Sequence, residues 1–263
     1  MPGRADRAPN VRERGGTKRK VRPTRADILI CETDESASRE AAERFVCDSV
    51  RAVAQRGRFF VAIPGGSSPR GMFGLLAGGE LGTAVPWTFT HVFFTDERCV
   101  PPDSPRSNYR LARDLLLSHV GVPEPNVHRF LTELPADEAA AAYEEEMRRV
   151  MGDTPKLDLA VLGMGQDTHT ASLFPNSPAL NQNTRLAAPN PVGGAIGDRL
   201  TLTLPALCAA RSVIVLAIGA EKAGAVRQAL QGDVDPSAHP VQAVRPTDGK
   251  LLWLLTSASA AEL

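Results

Sequence analysis

The chain has 263 residues, 43% hydrophobic and 23% charged, an ordinary globular balance that allows one substantial buried core. Its formal net charge is +0, yet nine Lys and Arg face only Asp6 and Glu13 within residues 1–25, so the remainder carries an opposing surplus of seven negative charges. A globular part of that sign is unsuited to sequence-independent binding of nucleic acid, and no apolar run approaches the ~18 residues that span a bilayer.

The basic stretch holds too few apolar residues to offset the entropy of ordering, so a disordered tail is expected over 1–26. It lacks the apolar segment of a secretory signal, which points to the cytoplasm. One domain is expected over 27–257, with a short C-terminal tail at 258–263.

DILIC at 27–31 predicts a strand, followed by Thr33 and Asp34 as N-cap residues. Ala37, Ala41, Phe45, Val46, Val50, Val53 and Ala54 then recur at helical spacing up to Gly57, a C′ glycine. FFVAI at 59–63 is apolar on both faces, as in a buried parallel sheet, and Pro69 opens a helix through Leu76. Strands are predicted at 91–95, 157–162, 199–204 (alternating), 212–218 and 251–255, the last closing the sheet. Helices are predicted at 108–119, 137–150 and 220–230. Strand alternating with helix means an α/β fold: a single-domain, open, mostly parallel sheet with helices on both faces.

Cys31, Cys47, Cys99 and Cys208 are scattered, with no CxxC pair and no His at ligand spacing, so neither a disulfide framework nor a zinc site is expected. Cys47 and Cys208 read as small core residues, and Cys99, beside a charged loop, as the thiol placed to react.

Ligands of such sheets bind at the carboxyl ends of strands, and four of those ends carry unusual chemistry. Gly65 and Gly66 let backbone approach an anion, with the Ser67 and Ser68 hydroxyls as further donors. The loop is neither a Walker lysine loop nor GxGxxG, so nucleotide cofactors are not implied. Asp96, Glu97 and Arg98 end the next strand, where Arg98 suits a developing negative charge and Asp96 a hydroxyl or a histidine. In GMGQDTHTASLFP, His169 follows a glycine turn with Asp167 two residues before it, an imidazole able to take and return a proton near neutrality. Lys222 opens a helix, opposing the macrodipole unless an anion bridges the two. His91, His119, His128 and His239 belong to no motif and read as structural.

The segments IPGGSSPRGMFGLLA, VFFTDERCVPP with SNYRLARDLLL, LDLAVLGMGQDTHTASLFP, RLTLTLPALCAARSVIVLAIGAEKAGAVRQAL and AVRPTDGKLLWLL resemble, in this order, the 6-phosphogluconolactonase family. The resemblance runs from about Ile28 to Leu255 and makes 27–257 the catalytic domain. It implies the fold shared with glucosamine-6-phosphate deaminase, and opening of 6-phospho-D-glucono-1,5-lactone to 6-phosphogluconate in the pentose phosphate pathway. Metal and cofactor are not expected, and a monomer or weak homodimer is. His169 resembles the family's general base, and Asp96 with Arg98 its substrate-orienting, charge-stabilising pair. Gly65, Gly66, Ser67 and Lys222 resemble its phosphate site, with Arg199 and Arg245 as further anion ligands. Either Asp96 or Asp167 would orient the imidazole.

Two departures from the family pattern stand out. Gln166 and Thr168 replace the Pro and second Gly of Gly-Pro-Asp-Gly-His, and a left-handed conformation there would strain Thr168 by about 1–2 kcal/mol. Asn176 replaces a Gly after Phe-Pro, a milder change because Asn tolerates that region. The competing readings are a glucosamine-6-phosphate deaminase, which carries Asp-Glu-Tyr where this chain has Asp96, Glu97 and Arg98, and a sugar-phosphate-sensing regulator, for which residues 1–26 are too short and polar to supply a helix-turn-helix.

Overall fold

The computed structural model describes residues 26–194 and 197–263, so the tail expected at 1–26 lies, apart from Ala26, outside the described residues. The chain opens with β1 (Asp27–Cys31) and α1 (Asp34–Arg56). The Thr33 side chain accepts the Ser36 amide, Ser36 Oγ accepts the Thr33 amide, and Gly57 ends the helix at φ 76. β2 (Phe59–Ile63), α2 (Arg70–Leu76), α3 (Gly79–Ala84), β3 (Thr90–Phe94), β4 (Asp96–Arg98) and α4 (Asn108–Leu115) follow. Then come β5 (Val127–His128), α5 (Ala136–Met151), β6 (Leu159–Gly163), β7 (Ala187–Asn190) and β8 (Arg199–Leu202). The chain finishes with α6 (Leu204–Ala209), β9 (Ser212–Ala217), α7 (Ala223–Gln231) and β10 (Lys250–Thr256).

Seven strands form one parallel sheet in the order β1-β10-β9-β6-β2-β3-β5. The residues of β2, β6, β9 and β10 are almost all buried, because a parallel sheet is covered on both faces. From β2 the chain moves outward through β3 to β5; from β6 it moves the other way through β9 to β10. Right-handed crossovers then put the helices of the two halves, α2 with α3 and α7, on opposite faces. The direction reverses between the neighbours β2 and β6, and at such a switch point the outgoing loops part and leave a crevice. No helix among the described residues is long and apolar enough to cross a membrane.

Several expectations are corrected. A second, three-stranded antiparallel sheet, β4-β8-β7, was not anticipated, because its strands read as a charged loop and an amphipathic run. The alternating residues of β8 are all buried, since the strand pairs on both edges and packs on α5. β10 closes the sheet from inside, between β1 and β9. The helix expected through His119 stops at Leu115, and 117–119 form a 3₁₀ turn. Cys47 is exposed and Cys208 only half-buried. In α1 the inward face runs through Phe45, Ser49 and Ala52, and a residue two positions from Phe45 points away from it. The C-terminal tail turns back onto the domain, with Ser259 fully buried and its hydroxyl donating to the Ala217 carbonyl at 2.8 Å.

Candidate active site

After β2 the backbone turns through Pro64, Gly65 and Gly66, the last at φ 85, before Arg70 starts α2. Among the described residues no acceptor takes the amides of Gly65, Gly66, Ser67 or Ser68. Four unpaired donors on one turn are of the kind an anion can bind. Gly65 is required by a neighbour: a Cβ there would lie 1.7 Å from Asn108 Oδ1. Asn108 is buried, donates to the Asp96 carbonyl at 2.9 Å, and leaves Oδ1 without a partner.

After β6, Gly165 and His169 close a tight turn, with Gly165 N donating to His169 O at 2.8 Å and Thr168 N to Gly165 O at 3.0 Å. Thr168 sits at φ 65 and Asn176 at φ 55, so the two departures from the family pattern fall at left-handed positions. His169 Nδ1 is 2.5 Å from Asp167 Oδ1, and its ring lies 4.4 Å, centroid to centroid, from Phe174. That contact commits Nδ1 to the carboxylate, and Nε2 has no protein partner among the described residues. Burial works to raise the Asp167 carboxyl, but the ring and amide hydrogen bonds of His169 hold it below the usual range. Asp167, not Asp96, therefore contacts the imidazole.

Asp96 is engaged elsewhere: Oδ2 accepts from Ser172 Oγ at 2.6 Å and Oδ1 from Thr95 Oγ1 at 3.0 Å. Glu97 is a buried brace. Its carboxylate accepts the amides of Arg98, Asn108 and Tyr109 and the Ser107 hydroxyl, at 2.7–2.9 Å, and so pins the start of α4 to β4. Burial pushes its carboxyl up against those bonds, which favour the ionised form. Arg98 pairs with Arg199 across the β4–β8 ladder, and its Nη1 donates to Arg106 O at 2.5 Å. Burial, then the nearby Arg98 charge, lowers the Arg199 pKa.

The loops meet around one open cleft. Gly65, Gly66, Ser67, Asp96, Arg98, His169 and Lys222 line it together, with Asn108 and Ala171. Asp167 stands one contact behind, on the imidazole. Arg199 lies outside the lining, its Nη1 spent on the carbonyls of Gly197 and Asp198. Arg245 is further removed: its amide lies on Cys208 Sγ and its Nε on Gln242 O, on the segment that leads back to the amino end of β10. Cys99 is exposed, and burial and Asp198 push its thiol up, against the reactivity expected of it. No group of three or more His, Cys, Asp or Glu gathers as a metal site among the described residues.

Residues 32–253 match the family model described as glucosamine-6-phosphate isomerases/6-phosphogluconolactonase. The chain belongs to that family. Within the glucosamine-6-phosphate isomerase/6-phosphogluconolactonase family it is 42% identical over 219 residues to a 6-phosphogluconolactonase of Nostoc sp., covering 81% of this chain and 88% of the relative. A 6-phosphogluconolactonase of Synechocystis sp. is 39% identical over 227 residues, covering 83% and 91%. The solved 6-phosphogluconolactonase from Trypanosoma brucei superposes with a TM-score of 0.79 at 28% identity, covering 91% of this chain and 99% of that one.

Sequence reasoning for this family member missed Asn108 and Ser172. Asn108 left a trace, as a poor helix former directly after the Ser107 cap. Ser172 left none, because its contact with the site, through Asp96, spans 76 residues.

Proposed function

We propose that this chain is a 6-phosphogluconolactonase, hydrolysing 6-phospho-D-glucono-1,5-lactone to 6-phosphogluconate in the oxidative branch of the pentose phosphate pathway. What carries the reading is a single cleft lined by an imidazole whose Nε2 has no protein partner among the described residues, by a turn with unpaired amides, and by Lys222. The cradle and the ammonium grip the phosphate, and that remote binding energy fixes C1 of the lactone near His169. Nε2 takes a proton from water as the oxygen attacks C1, while Asp167 stabilises the imidazolium that forms. Arg98 meets the oxyanion of the tetrahedral intermediate. Collapse breaks the bond from C1 to the ring oxygen, and that oxygen takes the proton back from His169. Asp96, held by Ser172, is positioned to accept from a sugar hydroxyl. The 28–42% identity to enzymes of this name supports the assignment. The enzyme works in the cytoplasm without cofactor or nucleic-acid partner, as a monomer or weak homodimer.

The test compares freshly generated 6-phosphogluconolactone with unphosphorylated gluconolactone, by continuous proton release with spontaneous hydrolysis subtracted. One charge-assisted phosphate contact contributes ~1.5–3 kcal/mol, so kcat/KM should favour the phosphorylated lactone by ~10–100-fold or more. Equal turnover of both would remove the phosphate cradle from the account. Ammonia released from glucosamine 6-phosphate would move the chain to the deaminase branch.

A further inference from the structure

We propose that His239 is a positioning residue for the reaction: it holds Thr168 in the left-handed conformation that sets His169 and Asp167 against each other. The inference rests on His169 as the general base, but concerns a side chain outside the cleft. Thr168 is the residue between the two, so a change in its φ swings one relative to the other. At φ 65 its branched Cβ crowds the following carbonyl, and an unrestrained Thr would leave that region.

Every polar atom of Thr168 is engaged, and two of the contacts come from a turn some 70 residues on. Its carbonyl accepts the Val241 amide at 3.1 Å, and Oγ1 lies 3.2 Å from His239 Nδ1. Oγ1 also donates to Asp167 O at 2.5 Å. A hydroxyl has one proton, so toward His239 Oγ1 accepts and Nδ1 carries the hydrogen. Gln228 Nε2, a donor only, is 3.0 Å from His239 Nε2, which must therefore accept. The two contacts select one neutral tautomer, with no conflict between them.

The turn that presents His239 is itself held. His239 N donates to Asp235 O at 2.7 Å. Gln242 is buried, accepts the Asp235 amide, and donates to the carbonyls of Gln228, Ala229 and Asp233 at the end of α7. The same turn takes the other end of the loop, where Asn176 N donates to Ser237 O at 2.9 Å. Of the three non-glycine residues at positive φ among the described residues, Thr168, Ala171 and Asn176, two thus lean on residues 237–241.

The experiment is a cycle of four proteins: wild type, His239→Ala, Thr168→Gly and the double variant. Glycine adopts positive φ unaided, so only the Thr background needs the lock. The expected result is a tenfold or greater loss of kcat in His239→Ala, with KM within about twofold, and a loss of less than threefold when the same change is made in Thr168→Gly. His239→Asn, which can present an N–H in place of Nδ1–H, should recover most of the activity. If His239→Ala does not fold, His239→Leu removes the donor at similar bulk. Independently of any substrate, the ¹⁵N shifts of the His169 ring should lose the signature of a hydrogen-bonded Nδ1 in His239→Ala and regain it in the double variant. A His239→Ala enzyme with kcat within twofold of wild type, or the same loss in both backgrounds, overturns the proposal. Failure of the lactonase reading is distinct: wild type itself would not turn over, while the ring shifts would still report on the lock.

Discussion

Gly165→Ala is a sharp probe of the imidazole's placement, because the added methyl meets the pair itself. Gly165 is not at positive φ, so alanine fits its backbone. A Cβ there would lie 2.1 Å from His169 Nδ1, 2.3 Å from its Cε1 and 2.5 Å from Asp167 Oδ1. Non-bonded atoms settle at about 3.5 Å, so the ring must move by about 1.4 Å and the carboxylate by about 1 Å. The two side chains keep 31% and 48% of their surface exposed and can swing outward without opening the core. Stability should change by no more than about 1 kcal/mol, whereas a displacement near 1 Å from the reacting geometry costs ~100-fold in rate. The assay is proton release at saturating fresh lactone, background subtracted, beside a thermal melt. Gly74→Ala, in α2 with nothing within 4 Å of its Cβ, serves as control. A Gly165→Ala enzyme that melts like wild type and keeps kcat within threefold would refute the placement of the pair as the determinant of rate.

Lys222→Ala should raise KM by ~10–100-fold with kcat nearly unchanged, as loss of one charge-assisted phosphate contact requires, and should leave turnover of unphosphorylated lactone as it was. Initial rates across both substrates check it, and a fall in kcat at constant KM would contradict it. Burial, and then the neighbouring His128, pushes the His91 pKa down from 6.5 to about 4. Between those values the unfolded chain binds more protons than the folded one, so stability present above pH 6.5 is lost as pH falls toward 4. Allowing for the water that reaches the ring, the loss is on the order of 1–2 kcal/mol. Urea midpoints at pH 7.5 and 4.5 should fall further in wild type than in His91→Asn; equal falls would contradict the sign.

Much of the frame can be read in the chain because burial on both faces leaves unbroken apolar runs, as in FFVAI at β2 and SVIVLA at β9. Thr33 and Gly57 mark the ends of α1 because caps are local chemistry. The left-handed positions of Thr168 and Asn176 were legible for a similar reason: the family pattern has glycine at both. The small sheet was not. Asp96, Glu97 and Arg98 form a strand only through β8, a hundred residues on, and Glu97 is buried only because four donors from its own loop and α4 converge on it. Arg245, expected from the family resemblance of its segment, lies outside the cleft lining, since its position along the segment leading into β10 is a property of topology. His239 shows the same limit, its contact with Thr168 spanning 71 residues.

The most direct measurement is the turnover of His169→Asn on freshly generated 6-phosphogluconolactone, with the spontaneous reaction subtracted and KM determined alongside. Loss of a general base predicts a kcat lower by ~100-fold or more, with KM little altered because the phosphate cradle is intact. A folded His169→Asn enzyme that opens the lactone at the wild-type rate would contradict the account.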